Sequence, residues 1–180
     1  WRKTVVPLPR PSERASIVVD VTASEGDAWF AEAIAGVISR ELTRFSRVRL
    51  VDAAASEQQC PTRAARCLVQ LYGARGVDIV VLGVLRGGGL DYEVHETWSP
   101  SRAAKGSIPL AGITSARLEQ RIGDLVRPIT KSGGLLDLAF RHLENQLVMH
   151  LQQHAGPQSA FRQRPRHRRH RQFHNIGRGS

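Results

Sequence analysis

The feature that most constrains the fold is a continuous apolar run, VDIVVLGVL, at residues 77–85. More than half of its residues are β-branched, which favours an extended chain, and the run is short for a buried helix. A strand that is apolar at nearly every position must be covered on both faces, as the central strand of a helix-flanked sheet is. The run therefore predicts an α/β domain built around this segment.

Four further segments carry strand patterns of their own: 16–21, 48–51, 90–98 and 107–110. Segment 90–98 alternates apolar and polar residues, which is typical of a strand with one solvated face. The three glycines that precede it allow a tight hairpin turn. Pro109 lacks a backbone donor, so 107–110 is expected to be a short edge strand that follows a loop over 99–105.

Apolar residues recur at three- and four-residue intervals in four segments: 24–45, 61–75, 115–129 and 135–154. This period predicts amphipathic helices, the first of them with Ser24 as its N-cap. The second is expected to open at Pro61 and to hold Arg63 in water, and Pro128 is expected to bend or end the third. The predicted order is β-α-β-α-β-β-β-α, an α/β (α+β) class with a small mixed sheet of about five strands and an extra C-terminal helix.

Composition divides the chain into four parts. Three prolines predict an extended leader over residues 1–15, followed by the α/β domain over 16–130, the C-terminal helix over 131–156 and a disordered tail over 157–180. The chain starts with Trp rather than Met, so it has been processed or excised, and the loss of an upstream signal peptide or membrane anchor would explain this start. We therefore expect a periplasmic or outer-membrane-associated protein.

The two cysteines, Cys60 and Cys67, cannot form a four-ligand zinc cluster. They are either a single disulfide or two buried thiols. In a continuous helix their Cα atoms would lie about 10 Å apart, which is too far for a disulfide. The disulfide therefore requires Cys60 to lie on the loop before the second helix.

Positive charge is concentrated in the tail. Residues 161–180 hold seven arginines and no acid, which leaves +3 of the formal net charge of +10 for the rest of the chain. Arginines interleaved with histidines are suited to anionic lipid or nucleic acid, although a solubilising extension has the same composition. The candidate polyanion-binding residues are Arg162, Arg164, Arg166, Arg168, Arg169 and Arg171.

Three groups of residues resemble known sites, and each has a simpler explanation. The glycines at 83 and 87–89 lack the Lys-Ser/Thr ending of a phosphate loop and fit a hairpin turn. Asp91, Glu93 and His95 alternate on the face predicted to be wet, and His142, His150 and His154 lack the spacing of a helical zinc motif. We therefore expect no catalytic residue, cofactor, metal site or small-molecule substrate, and a protein that is not an enzyme.

Three stretches resemble the TolB amino-terminal-like domain, a relative of the CsgG-like envelope domains. They are the helix phrase WFAEAI at 29–34, the strand SRVRLVD at 46–52 and the strand GVDIVVLGVLR at 76–86. The resemblance covers about residues 16–130 and rests on strand and helix patterns. It implies a module that docks partners or forms rings at the bacterial cell envelope, and one that also occurs in extracytoplasmic parts of membrane-bound regulators and cyclases.

The sequence thus favours a non-catalytic binding or assembly module whose partner is an envelope protein or a second copy. Two alternatives stay open. One is a nucleic-acid or anionic-polymer binder that acts through the tail, and the other is a sensory fragment of a larger regulator or cyclase.

Deletion of residues 157–180 tests the polyanion hypothesis. If the tail binds polyanions, the deletion abolishes binding to single-stranded DNA and leaves the domain folded, because it removes seven cations at once. Fluorescence anisotropy measures the affinity, which should also weaken in salt and strengthen in acid as the histidines charge. An affinity that survives the deletion would place any such binding in the domain.

Overall fold

The computed structural model describes residues 14–23, 27–53, 59–99 and 102–154, without the side chains of four residues near the end of the last helix. The predicted leader and tail, apart from Arg14 and Ala15, lie outside the described residues. The elements follow the predicted order: β1 (Ala15–Ala23), α1 (Ala28–Thr43), β2 (Val48–Val51), α2 (Ala65–Ala74), β3 (Ile79–Arg86), β4 (Gly89–Glu96), β5 (Arg102–Pro109), α3 (Ser115–Thr130) and α4 (Leu135–His154).

The strands form one mixed sheet in the order β2-β1-β3-β4-β5. β1 runs parallel to both β2 and β3, and β3, β4 and β5 are successively antiparallel. β3 occupies the centre, and its residues Ile79 to Leu82 are all buried. The predicted fold class and the central position of the apolar run are therefore confirmed.

Helices cover the two faces of this sheet unequally. On the first face, α1, α3 and α4 bury the larger core, which includes Ile17, Ile34, Val81, Ile122 and Leu136. On the second face, α2 buries a smaller core, which includes Val18, Leu68, Tyr72, Val77 and Val80. Full burial of one aliphatic side chain contributes about 1.5–3 kcal/mol, so the first face carries most of the packing energy.

Two predicted helix starts were wrong. α1 begins at Ala28 after Asp27, whose side chain makes no capping hydrogen bond, and Ser24 lies outside the described residues. α2 begins at Ala65 instead of Pro61, because the backbone N–H of Arg63 donates to the carbonyl of Cys60 and closes a turn first. Arg63 in that turn has a φ of 49°, which interrupts any right-handed helix.

Pro128 does not end its helix, which continues to Thr130. Proline removes one intrahelical donor at this position, and the helix gains only two more residues after it. The start of α3 is capped by Thr114, whose side chain accepts the N–H of Arg117 at 3.4 Å.

The edge strand is longer than predicted. β5 starts at Arg102, so the predicted loop over 99–105 was wrong for its last residues. The strand pairs with β4 along most of its length, and Tyr92 lies opposite Gly106. A Cβ on Gly106 would lie 2.7 Å from Cε1 of Tyr92, so the missing side chain makes room for the ring. Cross-strand packing of this kind stabilises the extended conformation of a segment whose residues have low β-propensity.

α4 is anchored at its N-terminal end. Its buried residues are Leu135, Leu136 and Ala139. Arg47, just before β2, holds its guanidinium carbon 3.7 Å from the centroid of the Phe140 ring and its Nη1 3.3 Å from Oδ1 of Asp137. Beyond Phe140, none of the helix side chains that the structure describes is buried, and Val148 and Met149 are exposed.

The junction between α3 and α4 yields a stability prediction. A Cβ on Gly134 would lie 2.7 Å from the carbonyl oxygens of both Pro128 and Lys131, and backbone atoms cannot move aside cheaply. We expect Gly134→Ala to destabilise the protein by about 1–3 kcal/mol. The control, Gly36→Ala in α1, meets nothing within 4 Å and should stabilise it by about 0.5–1 kcal/mol. Urea unfolding measures both, and equal effects would contradict the prediction.

Candidate functional site

A cleft of about 430 Å³ lies on the second face of the sheet, beside the start of α2. Its floor is formed by the carboxyl-terminal halves of β1 and β3, with Thr22, Leu82 and Val84. α2 is only ten residues long and packs over the opposite halves of these strands, so this part of the face is left open. The cleft is the best candidate for a ligand site among the described residues.

One wall of the cleft contains a buried carboxylate that the sequence analysis missed. Asp20 on β1 is 5 % exposed and forms an ion pair with Arg63. The hydroxyl of Tyr72 donates to the other carboxylate oxygen at 2.7 Å. The prediction that Arg63 lies in water was wrong, because its side chain is 24 % exposed and turned onto Asp20. A lone acid in the apolar strand 16–21 was the available signal.

A disulfide between Cys60 and Cys67 closes the loop that carries Arg63. Cys60 lies before α2 and Cys67 lies in its first turn, and their Cα atoms are 5.9 Å apart. This is the loop arrangement that the disulfide hypothesis required. The disulfide and the ion pair to Asp20 together hold the start of α2 against the sheet.

The opposite wall is formed by β4. Oε2 of Glu93 lies 3.0 Å from Nε2 of His95, and Oε1 accepts a hydrogen bond from Arg102 at 2.8 Å. Burial raises the pKa of Glu93, but the hydrogen bonds and charges of His95 and Arg102 outweigh it, so the pKa is lowered. Asp91 is not part of this group, because it faces Arg86 at 3.5 Å. The predicted wet face of β4 is therefore a partly buried network of ion pairs.

A second polar cluster lies away from the cleft, where α4 passes the sheet. Burial raises the pKa of Asp78. It outweighs the hydrogen bond that the Ser16 N–H donates at 2.7 Å and the charges of Arg49 and His142, all of which lower this pKa. Burial also raises the pKa of Glu96 and outweighs the charge of His142, which lowers it. The ring of His142 stacks on Trp98 with centroids 5.1 Å apart, so this histidine has a packing role.

The other residues that the sequence suggested lie in a turn or outside the described residues. Gly87 and Gly88 form the two-residue turn between β3 and β4. The side chains of His150 and His154 and all six tail arginines named above lie outside the described residues. Within the part of the chain that the structure describes, no three His, Cys, Asp or Glu side chains converge as metal ligands. No helix in that part is both long and apolar enough to cross a membrane.

Glu93 and Glu96 should affect the pH dependence of stability in opposite directions. The lowered pKa of Glu93 adds stability that is present near neutral pH and lost as the pH falls. Glu93→Gln should therefore destabilise most near pH 7. The raised pKa of Glu96 favours the folded state in acid and loses that effect as the pH rises, so Glu96→Gln should stabilise most near pH 7.

Urea unfolding of both variants and the parent chain at about pH 3, 5 and 7 checks these signs, and both differences should shrink toward pH 3. A change of the same sign in the two variants would contradict the assignment.

No protein-family model matches the sequence, and a search of curated proteins gives no match. Solved structures with a similar fold include the PelC dodecamer from Paraburkholderia phytofirmans, with 11% identity, a TM-score of 0.45, and coverage of 70% of this chain and 93% of that one. For lipoprotein GNA1162 from Neisseria meningitidis the identity is 14% and the TM-score 0.42, and the match covers 66% of this chain and 99% of that one. For TolB from Acinetobacter baumannii the identity is 11% and the TM-score 0.41, and the match covers 62% of this chain and 26% of that one.

Proposed function

We propose that this chain is a non-catalytic docking module of the bacterial cell envelope, and that it binds an extended segment of a protein partner along the outer edge of β5. The observation that carries the proposal is the open edge itself. The sheet ends at β5, and no element among the described residues pairs with its outer side. Addition of a strand to such an edge uses main-chain hydrogen bonds and needs no conspicuous side-chain motif.

The register of β5 identifies the groups available to a partner. The N–H of Leu110 donates to the carbonyl of Gly88 at 2.8 Å, so every second residue from Leu110 back to Ala104, where the register shifts, bonds to β4. Lys105 and Ser107 lie between these residues and direct their backbone N–H and C=O groups outward. Pro109 is the next outward residue and has no N–H, so a partner strand would be short and centred on 105–107.

Charge favours an acidic partner segment over a second copy. β5 carries Arg102 and Lys105 and no acidic residue, and Lys105 is exposed and forms no ion pair with the described residues. Like charges opposite each other across a strand pair are unfavourable, whereas opposite charges are favourable. Pairing of two β5 strands would bring these cations together, and an acidic segment would neutralise them.

The disulfide supports the envelope location in this proposal. Cys60 and Cys67 are bonded in the structure, and disulfides persist in oxidising compartments such as the bacterial periplasm. The TolB-like sequence resemblance points to the same compartment.

The test uses the full chain in its bacterial host with a photo-crosslinking amino acid at the exposed Ala103 of β5. The partner that the crosslink captures is then purified, and the Kd of its complex with this chain is measured for the variants Ser107→Pro and Ser107→Ala. Ser107→Pro removes one outward donor and spares the β4–β5 ladder, so we expect it to weaken binding about tenfold, with no change for Ser107→Ala.

Circular dichroism and urea unfolding confirm that both variants fold. Equal affinity of the two variants for the partner would overturn the proposal. So would a lack of any crosslink together with monomeric light scattering at high micromolar concentration.

A further inference from the structure

The second-face cleft lies where the topology of the sheet places a crevice. From β1 the chain crosses by α1 on the first face to β2, and from β2 it returns by α2 on the second face to β3. The connection that leaves β1 therefore runs to β2 on one side, whereas β3 leaves by the Gly87–Gly88 hairpin to β4 on the other side. In open α/β sheets, ligands bind at the carboxyl ends of strands at such a point. Thr22 and Val84, near the ends of β1 and β3, both line the cleft.

The cleft has the size and the lining of a small-molecule site. Its volume of about 430 Å³ lies within the roughly 300–1,000 Å³ of ordinary ligand pockets. Leu68, Leu82 and Val84 supply an apolar surface, and charged groups surround it. Arg63 is fixed on one side by Asp20 and the disulfide loop, so the wall beside α2 is preorganised.

The cleft lining holds three acids and three basic residues, and Arg102 beside it adds a fourth cation. Asp20 is neutralised by Arg63, and Glu93 is neutralised by Arg102. Arg86 faces Asp91 at 3.5 Å with both side chains about half exposed or more, which is a weak pair. Lys105 lines the cleft and has no ion-pair partner among the described residues. An incoming anion would therefore meet Lys105 without displacing a carboxylate from it.

We propose that this cleft binds a small organic anion with an apolar portion, without chemical turnover. Lys105 holds the anionic group with Arg86 close by, and Leu68, Leu82 and Val84 contact the apolar portion. The Lys105 ammonium also enters the argument for an acidic partner segment, but binding in the cleft does not use the β5 backbone groups on which strand addition depends, so Ser107→Pro separates the two proposals.

The probe for the test is 8-anilinonaphthalene-1-sulfonate, an aromatic anion, titrated into the full chain labelled at Leu and Val methyl groups. Residues 157–180 contain no Leu or Val, so methyl shifts report on the rest of the chain alone. We expect saturable shifts at Leu68, Leu82 and Val84. Shifts confined to Leu138 and Val148, the exposed Leu and Val among the described side chains of α4, would overturn the proposal. So would a lack of saturable binding.

Matched charge variants test the role of Lys105. Lys105→Gln should weaken binding of the probe about fivefold to tenfold, whereas Lys131→Gln, which removes an exposed charge after α3, should change it less than about twofold. The uncharged analogue N-phenyl-1-naphthylamine should bind the parent chain and Lys105→Gln equally. Equal losses in the two lysine variants would show general charge attraction and overturn the assignment. Ser107→Pro should leave the affinity for the probe unchanged, which separates this site from the β5 edge.

Discussion

The structure depends on the burial of β3 on both faces. A central strand that is apolar on each side needs helices packed on both faces of the sheet, and the two packed layers in this chain differ greatly in size. Three helices pack on the first face, whereas the second face has the ten-residue α2 over one end of β1 and β3. The larger core stabilises the domain, and the short α2 leaves side chains such as Thr22, Leu82 and Val84 open in the cleft. Most of the packing energy therefore comes from one face of the sheet, and the proposed anion site lies on the other.

The start of α2 combines two constraints that support each other. A carboxylate as buried as Asp20 is costly unless it is paired, and Arg63 and Tyr72 supply the partners. Arg63 reaches Asp20 from a turn with a left-handed backbone residue, a conformation that a free loop adopts rarely. The Cys60–Cys67 bond reduces the freedom of this turn in both the folded and the unfolded chain. The cleft wall is consequently rigid although it belongs to a loop.

Local sequence patterns predicted the elements whose residues carry their own conformational preference. β2 was predicted with its observed bounds, and the predicted centre of the sheet differs from β3 by two residues or fewer at each end. The start of β5 was missed because RAAKG has no β-branched residue, and its strand conformation comes from pairing with β4 and from Tyr92 over Gly106. The Asp20–Arg63 pair was missed because its members are 43 residues apart in the chain. Periodicity reports which side of an element is buried, and it does not report which distant residue meets a buried charge.

The one-sided anchoring of α4 has a geometric consequence for whatever follows it. Its contacts to the domain include Arg47 on the ring of Phe140 and, further along, His142 stacked on Trp98, and the helix continues to His154. Twelve further residues at 1.5 Å each extend the helix by about 18 Å past His142. In the sequence the arginine-rich segment therefore follows a helical spacer and is not joined directly to the anchored part of the domain.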